Sequence, residues 1–463
     1  MRNLKALCLT LAACLAVPAA ALAGAPAPAP APAPVPPGPA APAAPLTARL
    51  RLTLEEAVSR ALASQERIAV ARAGLERSDA AVGEAWSGAL PALSGSASFA
   101  RSKREIALVG GIPTATGAYS NLYSATAQLS QPLFTGGAVW NGVAAARARR
   151  GASAEDLRTS RQLTVYRASR FYYDAALARE VHKVVQASYE LAKRHYEEMQ
   201  AREKAGTASK FDLLRAKVAM QNQEAEVINA DNSARLAQAA LLRETGLPQE
   251  TELELVTGFG APSPAPALAE VLRAAAENRP ELASAGLGVK AQESTVRAAY
   301  SGYLPNISAT ASWGGSSGDD PFQNDNFTEG GTVGVQAQWT LFDGFLTRAR
   351  VAENKADLAR LEYAAAGLRR DIDLEVRQAL LNLESARQFI ASQGANVEEA
   401  GEALRLAEAR QKAGAGTELD IQDARTALEQ ARLNYAKSLY QYSVARLDIN
   451  KATGLLPAPG NGK

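Results

Sequence analysis

Four short stretches of the chain alternate apolar and polar residues, while most of the remainder repeats its apolar positions every three to four. In 92–99, Leu93, Ala97 and Phe99 stand against Ser94, Ser96 and Ser98. In 123–130, Tyr123, Ala125, Ala127 and Leu129 stand against Ser124, Thr126, Gln128 and Ser130. The third stretch sets Ile307, Ala309, Ala311 and Trp313 against Ser308, Thr310 and Ser312. The fourth sets Val333, Val335, Ala337, Trp339 and Leu341 against Gln336, Gln338 and Thr340. A period of two sustained this long is a strand with two unlike faces. Strands are expected at about 92–100, 122–134, 306–314 and 332–342.

The longer period predicts helices between them. Pro91 and Pro305 close helical stretches at 54–90 and 268–304 and open the first and third strands. Thr53 and Glu56 form a capping box at the first helix start. After the second and fourth strands, Thr135 and Asp343 can cap very long helices, about 136–205 and 344–413. No proline falls between Pro132 and Pro248, or between Pro321 and Pro457. Each rod would reach roughly 100 Å at 1.5 Å per residue. Gly206 and Gly414 stop the rods as C′ glycines. Ser209 with Asp212, and Thr417 with Asp420, restart the chain as capping boxes. The returning helices carry a heptad rich in small residues: Leu213, Ala216, Met220, Gln223, Val227 and Ala230 in one, Ile421, Ala424, Leu428, Ala431 and Tyr435 in the other. That spacing predicts close coiled-coil packing. A return helix and a short helix, end to end, match one rod in length.

The order of elements occurs twice, and so does the sequence. Residues 87–99 align without gaps to 301–313 at an offset of 214, with seven of thirteen positions identical. Residues 133–247 align without gaps to 341–455 at an offset of 208; Lys-Ala-Gly206 matches Lys-Ala-Gly414, and Thr-Gly-Leu247 matches Thr-Gly-Leu455. Units this long are not solenoid repeats. They read as a duplicated half-structure.

Composition narrows the class. Of 463 residues, 47% are hydrophobic but only 6% aromatic, and alanine carries the apolar share, which favours closely packed helices. The n-region Met1–Lys5, an apolar run to Val17 and Ala21-Leu-Ala23 read as a signal peptide over 1–23. Leu11-Ala-Ala-Cys14 offers a competing lipobox, with Cys14 as lipidated N-terminus. Residues 24–45 hold ten prolines among alanines, so 24–49 is a stiff linker. Cys8 and Cys14, the only cysteines, lie in the leader, and His182 and His195 fall roughly 140° apart on a helix. Metal and thiol chemistry are therefore not expected, nor any cofactor. Outside the leader acidic and basic residues balance, which argues against nucleic acid as partner. No Ser-His-Asp spacing or phosphate-binding glycine loop appears, so no enzyme is expected. The domains expected are the leader 1–23, the linker 24–49, a first repeat 50–248, a connector 249–266, a second repeat 267–457 and a tail 458–463.

Four strands cannot close a membrane barrel, since the smallest have about eight. Several chains pooling strands, apolar faces outward, would do so. With the Leu90-Pro91 and Leu304-Pro305 strand entries, the Leu133–Gly136 and Leu341–Gly344 strand exits, and the Gly206–Asp212 and Gly414–Asp420 hairpins, the chain over about 50–457 resembles the TolC-like outer membrane efflux proteins. The resemblance implies an α+β membrane protein, a homotrimer whose 12-stranded barrel is continuous with a 12-helix coiled-coil tunnel in the periplasm. It implies an outer membrane exit duct for small molecules or proteins, working with a periplasmic adaptor and an inner-membrane transporter. Gly206, Ser209, Asp212, Gly414, Thr417 and Asp420 would then form adaptor-docking tips. Phe99, Tyr123, Trp313 and Trp339 would belong to aromatic girdles at the lipid boundary. The resemblance places a periplasmic gate within 396–410, where Glu398, Glu402 and Arg405 share a helix face. The alternative there is a solvated face with ordinary i,i+3 Glu–Arg pairs. Two further readings compete for the whole chain: a periplasmic coiled-coil adaptor or structural protein, and a soluble sandwich using the strand aromatics as core.

Overall fold

A computed structural model describes residues 50–104, 118–318, 328–413 and 415–456. The leader, the linker, the tail and Gly414 lie outside the described residues. In chain order the elements are β1 (Leu50–Leu52), α1 (Leu54–Ser64), α2 (Glu66–Ser87), β2 (Ala92–Arg104), β3 (Ala118–Phe134), α3 (Ala138–Lys204) and α4 (Lys210–Thr245). Then follow β4 (Leu253–Leu255), α5 (Leu268–Asn278), α6 (Pro280–Ala299), a 3-10 turn at Tyr300–Tyr303, β5 (Asn306–Ser317), β6 (Thr328–Gln338), α7 (Leu346–Lys412) and α8 (Glu418–Ala452). The two long helices are 67 residues each. The described residues divide into two compact units, one containing 78–149 and 289–359, the other 50–77, 150–288 and 360–456.

The first unit holds one antiparallel sheet in the order β2-β3-β5-β6. The β3–β5 pairing joins the two repeats. Strand pairing extends β2 and β3 beyond the alternating stretch, to Arg104 and back to Ala118. The fourth strand differs from expectation. It spans 328–338, not 332–342, and Trp339 and Leu341 lie outside it. Trp339 donates its indole Nε1–H to the Tyr303 carbonyl at 3.1 Å. The chain then turns through two left-handed residues, Gly344 (φ 67°) and Phe345 (φ 69°). Their counterparts one repeat earlier are Gly136 (φ 60°) and Gly137 (φ 85°). Gly136 has a second constraint: a Cβ there would sit 2.9 Å from both Leu304 Cβ and the Ser301 carbonyl. Asp343 caps α7 through the Thr347 N–H at 2.7 Å, and Thr135 approaches the Val139 N–H at 3.4 Å.

In the second unit, each stretch expected as one short helix is two. Gln65 breaks the first and Arg279 the second, both extended (ψ 122° and 115°). The connector is not merely a join either: β4 pairs in parallel with β1, Leu50 opposite Leu253 and Leu52 opposite Leu255. Tyr172, fully buried, locks this pair by donating to the Leu52 carbonyl at 3.1 Å and accepting the Thr257 N–H at 2.8 Å. Three residues per strand give too short an alternation to be seen as a strand in sequence.

The main core cluster of this unit lines up α5, α7 and α8. Val271 and Ala275 meet Ile372, Val376, Ala379 and Leu383 of the long helix, with Tyr442, Ala445, Ile449 and Ala452 of the return helix. A short helix and a return helix thus share one rod. No heptad position named above is exposed in α4 or α8. The opposite face of α4 leaves Phe211, Leu214, Val218, Ile228 and Leu236 exposed.

Candidate functional site

The sheet has two chemically distinct faces because cross-strand partners share parity. One row reads Leu93–Leu129–Ala311–Val333, and its neighbour on the opposite face reads Ser94–Gln128–Ser312–Thr332. A further polar row runs Ser98–Ser124–Ser316–Thr328, with the Ser98 and Ser124 hydroxyls 2.8 Å apart. The apolar face has no cover: Leu93 is 75% exposed and Val333 86%. Large apolar side chains left bare in such number mark a surface that meets lipid or protein. Among the described residues no helix is long and apolar enough to cross a membrane.

Of the four residues expected at the aromatic girdles, three lie in this sheet. Phe99 and Tyr123 face each other across β2 and β3, with ring centroids 4.8 Å apart. Trp313 pairs with Gly331 and covers it; a Cβ at Gly331 would lie 2.7 Å from the indole. Trp339 lies beyond the end of β6. Where α2 ends and α3 begins, reasoning from strands missed a cluster: Trp86 and Trp140 meet edge-on at 5.3 Å with Arg147 over Trp86. The indoles are readable in the sequence, but only the fold brings 86 and 140 together.

In the second unit the hairpin residues take the expected local geometry. Gly206 is left-handed (φ 73°), and the Thr207 N–H reaches back to the Arg202 carbonyl at 2.8 Å. One repeat later the Ala415 N–H makes the same bond to the Arg410 carbonyl at 2.9 Å. Ser209 and Asp212 cap α4 reciprocally: Asp212 N–H to Ser209 Oγ at 3.1 Å, Ser209 N–H to Asp212 Oδ2 at 3.4 Å. Thr417 and Asp420 do the same for α8, at 3.2 and 2.8 Å. The Thr417 backbone and hydroxyl hold the Asp420 carboxyl below its usual range.

The gate candidates lie exposed on α7. Arg405 forks onto Glu402, Nε to Oε2 at 2.8 Å and Nη2 to Oε1 at 2.5 Å, and its hydrogen bonds hold the Glu402 carboxyl low. This pair is neutral and local. It leaves Glu398 as the one candidate of the three whose charge no ion pair offsets among the described residues. Sequence reasoning missed a close approach at the same end: His195 of α3, 7% exposed, has Nε2 2.5 Å from Glu418 Oε1 of α8. Among the described residues no His, Cys, Asp and Glu cluster could hold a metal.

These features have relatives. The family model for outer membrane efflux proteins matches 57–247 and 271–455, one segment per repeat. The chain is 25% identical over 414 residues to outer membrane efflux protein BepC of Brucella suis, covering 89% of this chain and 87% of that one. It is 24% identical over 363 residues to outer membrane protein TolC of Escherichia coli, covering 75% and 72%. Among solved structures it superposes on the Campylobacter jejuni CmeC outer membrane channel with a TM-score of 0.77, at 20% identity, over 88% of this chain and 87% of that one. A matched model over both halves, and a shared channel fold, overturn the coiled-coil adaptor and soluble sandwich readings. The chain belongs to the outer membrane efflux protein family and is an outer membrane exit duct of the TolC channel-tunnel fold.

Proposed function

We propose that three copies of the chain close one twelve-stranded barrel, continued by a twelve-helix tunnel in the periplasm. Through this duct small molecules or proteins leave the cell, delivered by an inner-membrane transporter and a periplasmic adaptor. One observation carries the reading: the four-stranded sheet ends in two long unpaired edges, β2 and β6. A backbone edge in hydrocarbon has no water to satisfy it, so the sheet must close on other copies.

The dimensions support a spanning barrel. From Tyr123 to Phe134 the strand advances roughly 36 Å at 3.3 Å per residue, or roughly 28 Å of height at barrel tilt, close to an apolar band of roughly 25 Å. Phe99 and Tyr123 then mark one lipid boundary and Trp339 the other, with Trp313 between them. The serine, threonine and glutamine rows face the lumen. On α7, Leu374, Leu381 and Phe389 are exposed at helical spacing, which suits packing against a second copy. The hairpin tips, Gly206, Ser209 and Asp212 with Gly414, Thr417 and Asp420, dock the adaptor. Glu398, with the Glu402–Arg405 pair beside it, lines the periplasmic gate.

The test is cross-linking between edges. The chain has no cysteine outside its leader, so pairs are introduced one in β2 (Ser94 or Ser98) and one in β6 (Thr332 or Gln336). Disulfides between copies, in a ladder ending at three chains, are expected. Absence of any inter-chain product across the set would contradict the proposal.

A further inference from the structure

Two cations of the first unit lie over aromatic rings, at matching places in the two repeats. Arg147 stands over Trp86 and Lys355 over Tyr300, each 5.5 Å from the ring centroid. The rings are 214 residues apart and the cations 208, the two offsets that relate the repeats. Tryptophan has become tyrosine and arginine has become lysine, yet a ring and a cation remain. Each cation comes nine residues after the first of its rod, Ala138 or Leu346. A second ring stands beside each first one: Trp140 is 5.3 Å from Trp86, and Tyr303 is 6.3 Å from Tyr300. Trp140, Arg147, Tyr300, Tyr303 and Lys355 are all exposed.

We propose that each ring–cation pair clamps the phosphate headgroup of an anionic phospholipid in the periplasmic leaflet of the outer membrane. The proposal rests on the sheet being part of a lipid-spanning barrel.

Depth, charge and repetition carry it. Strands β3 and β6 end at Phe134 and Gln338, and Leu133, Phe134, Leu341 and Phe342 are the exposed apolar side chains at that level. Nine residues advance a helix roughly 14 Å. Helical side chains lean back toward the N-terminus, and long cationic stems snorkel, so both charges are carried up toward the strand ends. The headgroup layer there is roughly 5–7 Å deep per leaflet. Tryptophan and tyrosine favour that layer because one end is apolar and the other polar. The charge is uncompensated. Arg147 and Lys355 have no carboxylate partner among the described residues. Lys355 also donates to the Tyr300 hydroxyl, which holds its ammonium above the usual range, and an ammonium has two further donors. The rods begin basic as well: Arg147 and Arg149 precede Glu155, the first acid of α3, and Arg348 and Arg350 precede Glu353 in α7. A contact that only held α2 to α3 could be apolar. What both repeats keep is the charge.

The test is native mass spectrometry of the full chain in detergent, with added phosphatidylglycerol or phosphatidylcholine of equal chain length. The parent should retain the anionic lipid preferentially. Each cation near an anionic lipid surface is worth about fivefold in affinity, so Arg147→Gln with Lys355→Gln should bring the preference close to parity. Arg147→Lys with Lys355→Arg keeps both charges and should keep the preference. Glycerol phosphate at the lipid's concentration should not displace it, because it lacks the acyl chains that lie along the apolar sheet. A parent that takes both lipids equally would overturn the clamp. A preference that survives in the glutamine pair, with only the unfolding midpoint lowered, would overturn it too and assign the pairs to helix packing. Displacement by glycerol phosphate would assign them to a soluble anion instead. The same spectra count the chains. Three chains without lipid preference would sink the clamp and leave the barrel, whereas a stable monomer that still prefers phosphatidylglycerol would keep the lipid contact and sink the barrel.

Discussion

Arg279 stands in the second repeat where Gln65 stands in the first, and both reach the same turn of their return helices. Gln65 Nε2 donates to the Glu244 carbonyl at 2.6 Å, and Arg279 Nε to the Ala452 carbonyl at 3.0 Å. The residue before each break then packs on a left-handed glycine. A Cβ on Gly246 would lie 2.5 Å from the Ser64 Cβ, and one on Gly454 would lie 2.7 Å from the Asn278 carbonyl. The break is thus a duplicated joint, in which an extended residue docks on the end of a return helix.

The two joints should differ in strength. Arg279 also pairs with Glu281 and Glu375, and Lys451 holds Glu375 at 2.9 Å. Removing one partner of a largely buried pair costs about 3–5 kcal/mol, whereas losing a neutral hydrogen bond costs about 1–3 kcal/mol. In detergent, Arg279→Ala should therefore lower the unfolding midpoint more than Gln65→Ala. Equal shifts would show that the ion pairs contribute nothing beyond the carbonyl contact.

Acid should weaken the second joint. Burial pushes the Glu375 carboxyl up, but Lys451 and Arg279 outweigh it and hold it low. Its contribution is present above the ordinary carboxylate range and fades as pH falls through the lowered value. Stability profiles of the parent and Glu375→Gln should therefore be separated above the ordinary carboxylate range and draw together as pH falls below it. Profiles separated by a constant amount down to pH 2 would contradict this.

The glycines of the joints should respond differently to rescue. Gly246→Ala and Gly454→Ala both place a Cβ at positive φ, which costs about 1 kcal/mol before any collision. At Gly246 the obstacle is a side chain, so adding Ser64→Gly should recover part of the loss. At Gly454 it is backbone, and Asn278→Gly should recover none. Rescue at both sites, measured by thermal unfolding, would mean the close approach is not what selects glycine.

Phe345 offers a test of strain. It is the one described non-glycine residue at positive φ, where the first repeat has Gly137. It packs edge-on to Phe342 at 5.4 Å but is 62% exposed. Relief of about 1 kcal/mol should nearly cancel the lost ring contact in Phe345→Gly, while Phe345→Val should be clearly destabilised. A large loss in the glycine variant would assign Phe345 a packing role.

The order of elements, both rods and all three capping boxes were legible because each rests on local signals: parity, heptads, caps and the 208-residue offset. The joints were not. Gln65 carries no breaker signature; Arg279 does, because Pro280 follows it and pushes the residue before it out of the helical region, but the partners of both lie 179 and 173 residues away. The Thr-Gly-Leu match was visible as a repeat, yet its meaning as a paired helix end appears only where Ser64 and Asn278 meet it. Trp339 was misplaced because its alternation runs past the last ladder bond, so parity alone could not see the strand end. On α7 the i, i+4, i+7 pattern located a shared face, and the i,i+3 Glu–Arg pairing given as the alternative there is the one that forms, between Glu402 and Arg405.

That pairing shapes the gate prediction. Arg405→Ala uncovers the Glu402 carboxylate and should strengthen cation preference in planar bilayers, and Glu398→Gln should weaken it. Replacing both Glu402 and Arg405 with Ala should raise resting conductance. If none of the three changes conductance or selectivity, this face of α7 meets solvent and the constriction lies elsewhere.

The central claim is that four strands per chain become a closed duct only in threes. Native mass measurement of the full chain released from outer membranes in detergent tests it most directly. The account predicts a single species of three chains. A monomer or dimer as the stable species would leave the β2 and β6 edges unclosed and contradict it.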